Sequence, residues 1–325
     1  MDISVLICTH NPDLERLQRV FTALDQQTMS KDRWECIVID NCSEPPLSGR
    51  VDITWHPKAR CVREERLGLT HARLRGIDES RGEYLVFVDD DCLLASAYLE
   101  EVFQIFCAHS FLGCVGGYGR AEYEEEPPAW MNKTLRSYHL DMYPREFGHS
   151  LQYARIQSKH SPARPIGAGL AIRKSLASSY AESIKQDPTA LAFDRTGSLV
   201  LGGGDLDMGI HVVEQGFATG LSRSLRFTHV VPAFRIRLPY MLRLLYLSQY
   251  STERLFIHRG WQEAIPPLPP EPTWKRLAKG LARWLGWQRR MPPGEQCRRA
   301  LRLGSVDGLS GAPLREEYVG RSAKT

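Results

Sequence analysis

The chain has 325 residues, of which 42% are hydrophobic and 25% are charged, as is typical of a globular protein with a large buried core. No segment has the roughly 18 to 20 uninterrupted apolar residues of a membrane-spanning helix, and the scattered cysteines and absence of a secretory signal favour a cytoplasmic protein with reduced thiols. The net charge of +4 conceals a separate basic tail, because nine Lys or Arg residues between Thr273 and Arg302 accompany the single acid Glu295.

Strand and helix patterns alternate through the first third of the chain. Strands are predicted at residues 3–9, 34–40, 60–63 and 84–88, and helices at 12–27, 69–80 and 97–108. Beyond these, helices are predicted at 205–214 and 239–257, and a strand at 225–229. This alternation predicts an α/β fold with a mostly parallel, doubly wound sheet flanked by helices.

Polar residues follow three of the predicted strands. They are Thr9, His10 and Asn11, then Asp40 and Asn41, then Asp89, Asp90 and Asp91. Open parallel sheets bind ligands at the carboxyl ends of their strands, so we expect these residues to converge on one crevice. Because adjacent carboxylates at the end of a buried strand repel one another, the three aspartates indicate a bound cation.

Five segments carry a more specific pattern: ISVLICTHNP (3–12), CIVIDNCSE (36–44), RLGLTHARLRGIDESRGEYLVFVDDD (66–91), GAGLAIRKS (167–175) and GGGDLDMG (202–209). Their order and spacing resemble glycosyltransferase family 2, whose members have a GT-A fold and transfer a sugar from a nucleotide diphosphate donor with inversion. Neither a dinucleotide-binding G-x-G-x-x-G after the first strand nor a phosphate-binding G-x-x-x-x-G-K-[ST] occurs, which argues against the two commonest nucleotide-binding alternatives.

The resemblance implies a GT-A catalytic domain over residues 1–235, with a nucleotide-binding half at about 1–119 and an acceptor-binding half at about 120–235. Residues 236–325 are then expected to form a helical, basic C-terminal extension. The implied enzyme is a glycosyltransferase of the hexosyltransferase type, with a nucleotide-sugar donor, a carbohydrate or lipid-linked acceptor and no nucleic-acid partner. Such an enzyme fits polysaccharide or glycolipid biosynthesis.

The aspartate run matches the family's D-x-D motif, which implies a divalent cation, Mn²⁺ or Mg²⁺. By this match Asp91 is the direct ligand, Asp89 contacts the nucleoside and Asp90 orients its neighbours. His229 resembles a late histidine of the family that completes the metal site or touches the diphosphate, although a purely structural histidine is an open alternative. For the aspartates, the alternative is an acidic turn that caps a helix beginning near Ala95.

The resemblance also assigns residues to the donor. Asp40 would accept a hydrogen bond from the base, which suits the ring N–H of uracil and favours a UDP-sugar, although thymine and guanine also present an N–H. Thr9 and Asn11 would line the nucleoside pocket, or else form only a polar turn. Arg73 matches the family's A-R-N arginine, near the pyrophosphate or holding the aspartate loop, but Leu74 replaces the usual asparagine.

Asp205 occupies the place of the catalytic base in the family's G-E-D-x-E segment, where it would take the proton of the acceptor hydroxyl. The alternative for Asp205 is an ordinary helix N-cap. Gly204 replaces the usual glutamate, so the accessory contact is either missing or supplied by Asp207.

The acceptor or sugar pocket is assigned to a few further residues. Trp130 is expected either as an apolar platform for a sugar ring or as a residue buried against the sheet. The turn from Gly167 to Gly169 would let the backbone approach the donor sugar closely, and Asp207 would lie nearby.

The basic tail has an amphipathic pattern over residues 273–291, with tryptophan and leucine on one face and Lys and Arg on the other. Such a helix binds an anionic membrane surface, which would make the protein peripheral on the inner face of the cell membrane. Docking onto its own domain or onto a second subunit is the alternative.

Two other functions remain open from the sequence. One is a nucleotidyltransferase acting on sugar phosphates, although residues 8–13 lack the basic glycine-rich loop usual in that class. The other is an inactive sugar-nucleotide-binding protein, which the presence of both Asp91 and Asp205 disfavours. We therefore expect a metal-dependent inverting glycosyltransferase.

Overall fold

The computed structural model describes residues 1–131, 151–154, 163–191, 194–196, 201–261 and 292–319. Within these residues, nine strands form one sheet. The strands are β1 Ile3–Thr9, β2 Trp34–Asn41, β3 Ala59–Glu64, β4 Tyr84–Val88, β5 Cys92–Leu94, β6 Leu112–Tyr123, β7 Leu151–Ala154, β8 Ala171–Arg173 and β9 Ala218–Val231. The helices are α1 Leu14–Asp25, α2 Leu69–Glu79, α3 Tyr98–Ala108, α4 Lys174–Ile184, α5 Pro188–Leu191, α6 Gly204–Glu214, α7 Leu238–His258, α8 Pro293–Ser310 and α9 Glu316–Val319, with a 3₁₀ turn at Ala233–Ile236.

The strand order across the sheet is β3-β2-β1-β4-β8-β6-β9-β5, and β7 pairs with the first half of β9. The pairing directions make β5, β7 and β8 antiparallel to the other six strands. The predicted mostly parallel α/β sheet is therefore confirmed.

Helices cover both faces of the sheet, which explains why the central strands are continuously apolar. Alternate residues of β1 point to opposite sides, since Ile3, Val5 and Ile7 pack with α1 and α3, whereas Leu6 packs with α2 and α4. Each face thus has its own buried core, and the predicted flanking helices are confirmed.

The elements of the first 108 residues match the sequence prediction closely. Two strands, Ile3–Thr9 and Tyr84–Val88, have the predicted bounds, and the other predicted strands and helices differ by a few residues at their ends. The later strand predicted at 225–229 is part of the much longer β9, and β5 to β8 were not predicted.

Helices α8 and α9 pack against α7. Helix α8 crosses it closely, because a Cβ atom added to Gly304 would lie 2.3 Å from the carbonyl oxygen of Tyr246, and one added to Gly308 would lie 2.8 Å from that of Tyr250. The predicted basic helix at 273–291 lies outside the described residues. Within the described ranges, no helix combines the length and the apolar character that a membrane span requires.

All eight cysteines are free thiols, as expected.

Candidate active site

The polar residues that follow the central strands lie together at one edge of the sheet. Strand β1 is the middle of the group, with Thr9 beside Asp40 of β2 and Ile7 beside Val88 at the end of β4. The hydroxyl of Thr9 donates a hydrogen bond to the carboxylate of Asp90. The three strand ends therefore lie side by side at this edge, although of the residues predicted there only Asp89 lines the cavity described below.

Asp40 organises the loop that follows β2. Its carboxylate accepts hydrogen bonds from the amides of Ser43 and Leu47, each at 3.0 Å, and pairs with Arg63 at 2.8 Å. Burial alone would raise the pKa of Asp40, but these hydrogen bonds outweigh it and hold the pKa below its usual value. Asn11 fixes the same loop, since its side-chain oxygen accepts from the amide of Glu44 at 2.8 Å.

The aspartate run does not cap a helix. Helix α3 begins after Ala97, with no side-chain cap, and the short strand β5 separates it from the aspartates. Burial and the charge of Asp91 raise the pKa of Asp90 to about 6, and the same causes raise that of Asp89. The run is thus a cluster of carboxylates in which Asp91 is buried and Asp89 and Asp90 are half-buried.

Asp91 has two close partners within the protein, a histidine and an arginine. Strand β5 pairs with β9 so that Cys92 lies beside His229, and the Nε2 atom of His229 is 3.5 Å from Asp91 Oδ1. On the other side, Nη1 of Arg235 is 2.9 Å from Asp91 Oδ2. Burial alone would raise the pKa of Asp91, but His229 and Arg235 outweigh it and hold this pKa well below its usual range.

Asp205 lies in the first turn of α6. The N-cap of this helix is Gly203, so Asp205 is not the cap. Its Oδ2 accepts a hydrogen bond from the amide of Gly167 at 2.9 Å, and its Oδ1 accepts from the amide of Leu206 at 2.8 Å. These bonds hold the carboxylate at the turn that precedes β8.

Arg73 and Asp194 form a buried ion pair beside Asp205. Nη1 of Arg73 is 2.6 Å from Asp194 Oδ2, and the two residues are 7% and 4% exposed. Sequence reasoning missed Asp194, because its partner is 121 residues away and no local pattern distinguishes it from a surface acid.

Five of these residues line one cavity of about 130 Å³. Its walls include Asp89 and His229 from the strand-end side and Arg73, Asp194 and Asp205 from the other. Helix α7 closes it with Leu244, Ser248 and Thr252, which recur every fourth residue and so share one face of the helix. Helix α7 therefore contributes a wall of this cavity.

Comparison with known proteins identifies the family. The model for Glycosyl transferase family 2 matches residues 4–174. The chain belongs to this family. Its expected GT-A type of fold agrees with the sheet described above.

The matches to two curated relatives cover only part of each chain. Glycosyltransferase AglE of Haloferax volcanii is 30% identical over 101 residues, which are 30% of this chain and 33% of AglE. Human polypeptide N-acetylgalactosaminyltransferase 14 is 32% identical over 98 residues, which are 30% of this chain and 18% of that enzyme. The chain thus spans a third or less of the length of these relatives. The crystal structure of S. aureus TarS aligns with a TM-score of 0.46 at 13% identity, covering 82% of this chain and 44% of TarS.

The donor atoms near Asp91 fit the divalent cation that family 2 membership implies. A carboxylate oxygen of Asp91, the Cys92 sulfur and a ring nitrogen of His229 all lie within 4.8 Å of one another. The Nδ1 atom of His229 is buried with no partner among the described residues, and carboxylate and imidazole together suit a manganese-like ion, whereas a thiol does not. Asp91 and His229 would hold one side of such an ion and leave positions open for phosphate oxygens.

Three residues assigned to the acceptor or sugar pocket lie elsewhere. The carboxylate of Asp207 is buried and bonded to Tyr180 at 3.0 Å and to Arg259 at 2.6 Å, so it neither reaches the cavity nor replaces the family's glutamate. Trp130 is half-buried against the apolar residues around α7 and is not among the residues that line the cavity.

Gly169 is the third of these residues, and a glycine is needed there by the backbone conformation of the turn. Its φ is +73°, and a Cβ atom there would lie 2.4 Å from the hydroxyl oxygen of Tyr98. Gly167, in contrast, does line the cavity, where its amide contacts Asp205.

Proposed function

We propose that this chain is a metal-dependent inverting glycosyltransferase that moves a sugar from a nucleotide diphosphate, preferably UDP, to an acceptor hydroxyl. The main support for this proposal is that Asp89 of the aspartate run and Asp205 line the same cavity. A nucleotide-sugar held at the strand ends would present its anomeric carbon between these two carboxylates. Membership of family 2 supports the same reaction.

Asp205 is the proposed base. Its carboxylate would take the proton of the acceptor hydroxyl while that oxygen forms the new bond to the anomeric carbon. The bond from this carbon to the diphosphate breaks on the opposite face, which inverts the configuration. Arg73, a cavity-lining cation, would help to neutralise the charge on the departing diphosphate.

Asp91 and His229 are the residues that would hold the divalent cation, Mn²⁺ or Mg²⁺. Such an ion supplies positive charge that stabilises the departing diphosphate. Asp89 and Asp90 would then position the nucleoside side of the donor, and Thr9 would hold Asp90 through their hydrogen bond.

Asp40 and Asn11 are proposed to shape the base pocket through the loop after β2. Because the Asp40 carboxylate already pairs with Arg63 and two loop amides, it would bind a uracil N–H only through a remaining lone pair. Substituting Asp40 by Asn should therefore weaken binding of UDP more than that of free phosphate, as isothermal titration would measure.

We also propose the division into a catalytic domain at residues 1–235 and a C-terminal extension at 236–325. The extension would take part in acceptor recognition, because Leu244, Ser248 and Thr252 of α7 face the cavity. The acceptor is proposed to be a carbohydrate or lipid-linked hydroxyl of polysaccharide or glycolipid biosynthesis.

Membrane contact through residues 273–291 would bring the enzyme to lipid-linked acceptors. Liposome flotation tests it, with Lys275, Arg276, Lys279 and Arg283 replaced together by Glu. Charge reversal is preferable to truncation because α8 packs against α7 and its loss would disturb the fold. Flotation with anionic liposomes should be lost in the variant, and equal flotation of both proteins would exclude the idea.

The transferase itself is tested by nucleotide release from a panel of donors with Mn²⁺, Mg²⁺ or EDTA. The panel should include UDP-glucose, UDP-N-acetylglucosamine, UDP-N-acetylgalactosamine, dTDP-glucose and GDP-mannose. We expect metal-dependent release of UDP and its suppression by EDTA. A folded protein that neither binds nor cleaves any donor would contradict the proposal.

A further inference from the structure

We propose that Asp194 is a positioning residue, which holds the guanidinium of Arg73 in place so that the Asp205 carboxylate stays available to the acceptor. This role rests on the proposed function of Asp205. It concerns a residue that no motif of the sequence marks.

The Arg73–Asp194 pair is almost completely buried at the wall of the cavity. Nη1 of Arg73 lies 2.6 Å from Asp194 Oδ2, and both side chains are less than a tenth exposed. Asp205 and Asp89 are also close enough to attract the same guanidinium. Asp194 therefore competes with Asp205 and Asp89 for the guanidinium of Arg73, and in the structure Asp194 is the residue that pairs with it.

Two glycines make room for this arrangement. A Cβ atom on Gly204 would lie 2.2 Å from Asp194 Oδ2 and 2.7 Å from Arg73 Nη1, and one on Gly167 would lie 2.7 Å from Arg73 Nη2. Contacts this short exclude any side chain at either position unless the ion pair moves. The guanidinium of Arg73 thus lies between Gly167 and Gly204.

The carboxylate of Asp194 fills the space where a side chain at position 204 would begin. The resemblance to family 2 led us to expect a glutamate there, and Asp207 was the first candidate for its replacement. Asp207 is instead bonded to Tyr180 and Arg259. Asp194 is therefore the residue that brings a carboxylate to this position, from a different segment of the chain.

Loss of Asp194 would leave Arg73 with an unpaired buried charge. Arg73 would then pair more closely with Asp205 or Asp89, because a buried cation without a carboxylate partner is unstable. Pairing with Asp205 would draw the proposed base away from the acceptor hydroxyl. Turnover should fall, whereas donor affinity, which depends on the strand-end groups, should change little.

The test moves the carboxylate from position 194 to position 204. Three variants of the full chain are compared with the wild type: Asp194→Ala, Gly204→Glu, and the double variant with both changes. Nucleotide release is measured with the most active donor and metal, and donor binding is measured separately by titration. For Asp194→Ala we expect kcat to fall about 100-fold with the donor Kd within about threefold, because small displacements of reacting groups have effects of this size.

Gly204→Glu alone should also be poor, because its side chain collides with Asp194. In the double variant the glutamate enters the vacated space and can pair with Arg73, so we expect kcat to recover at least about tenfold over either single variant. Two damaging changes that compensate each other would establish that a carboxylate at this point, rather than Asp194 as a packing residue, is required.

Asp307→Asn is the matched control, since Asp307 is also buried and pairs with Arg315, at 2.5 Å, outside the cavity. It should lower the melting temperature and leave kcat per folded molecule unchanged. If Asp194→Ala behaves like this control, or if the double variant regains stability without turnover, the positioning role is wrong. A folded wild type that releases no nucleotide would contradict the proposed function instead.

Discussion

Nη1 of Arg235 lies 2.9 Å from Oδ2 of Asp91 and gives this buried carboxylate a cationic partner within the protein. The same nitrogen is 3.2 Å from Nε2 of His229. Arg235 therefore contacts both residues proposed to hold the divalent cation. A metal ion and this guanidinium would compete for the same carboxylate, because like charges repel at such short range.

Replacing Arg235 by Ala should raise the affinity for Mn²⁺ about tenfold, since one nearby competing charge is removed. Nucleotide release should fall about tenfold or more, because the departing diphosphate loses a cation. Electron paramagnetic resonance of free Mn²⁺ measures the first effect on the metal-free protein, and turnover measures the second. Arg237→Ala is the control, since its side chain is 59% exposed and pairs with Glu125. Weaker Mn²⁺ binding in Arg235→Ala would show that the arginine does not compete with the ion.

The two aspartates of α6 should respond oppositely to substitution. Asp205→Asn should abolish transfer and leave donor binding near the wild-type value, at a cost of only about 1 kcal/mol in folding stability, because the asparagine oxygen can accept from one of the two backbone amides that Asp205 now bonds. Asp207→Asn should lower the free energy of unfolding by roughly 3 kcal/mol, since it breaks a buried pair with Arg259. Urea unfolding followed by tryptophan fluorescence, together with donor titration and turnover, separates the two effects. Near-normal turnover of Asp205→Asn would exclude its role as base.

The first half of the fold could be predicted from sequence because its signals are local. The strands Ile3–Thr9 and Tyr84–Val88 are apolar runs between polar segments, and the helices between them have apolar residues at helical spacing. The strands after residue 111 were harder to predict from the sequence. Strand β6 contains four glycines among its twelve residues, and β8 has only three residues, so neither produces a clear pattern.

The site could be predicted only in part, for a related reason. Residues at strand ends converge by topology, which is why Thr9 and the aspartate run were found together. Partners that come from distant segments, such as Asp194 for Arg73 and Arg235 for Asp91, have no local signal. Asp207 was expected to supply the contact of the family's glutamate if that contact is not simply missing, but residues two apart on a helix point in different directions, and its carboxylate is bonded to Tyr180 and Arg259.

Gly169→Ala should strongly destabilise the protein. The substitution places a side chain at a φ of +73° and puts its Cβ atom 2.4 Å from the Tyr98 hydroxyl oxygen, which donates a hydrogen bond to the Gly169 carbonyl. Gly216→Ala is the control, because φ there is +89° but no atom lies within 4 Å of the added Cβ. We expect a loss of about 1 kcal/mol at Gly216 and about 2 kcal/mol more at Gly169, measured by urea unfolding. Equal losses would mean that the contact with Tyr98 relaxes freely.

His56 is a buried histidine far from the cavity. Its ring lies 4.1 Å from that of Trp34, its Nδ1 accepts a hydrogen bond from the amide of Lys58 at 3.1 Å, and its Nε2 has no partner in the described part of the chain. Burial, followed by the charges of Lys31 and Lys58, lowers the pKa of His56 to about 4. The folded protein therefore holds this imidazole neutral at physiological pH.

This histidine should make folding stability depend on pH in the mildly acidic range. Because the folded pKa of His56 is about 4 and the ordinary value is 6.5, the unfolded chain binds a proton between these values that the folded protein does not. Stability should thus fall as pH is lowered, by about 2 kcal/mol between about pH 7 and pH 5 from this residue. His56→Gln should remove that part of the slope in urea unfolding at several pH values, whereas His109→Gln, at a partly exposed histidine, should keep the wild-type slope. An unchanged slope in His56→Gln would mean that the folded protein accommodates the charged ring, through a water or a shift of the neighbouring lysines.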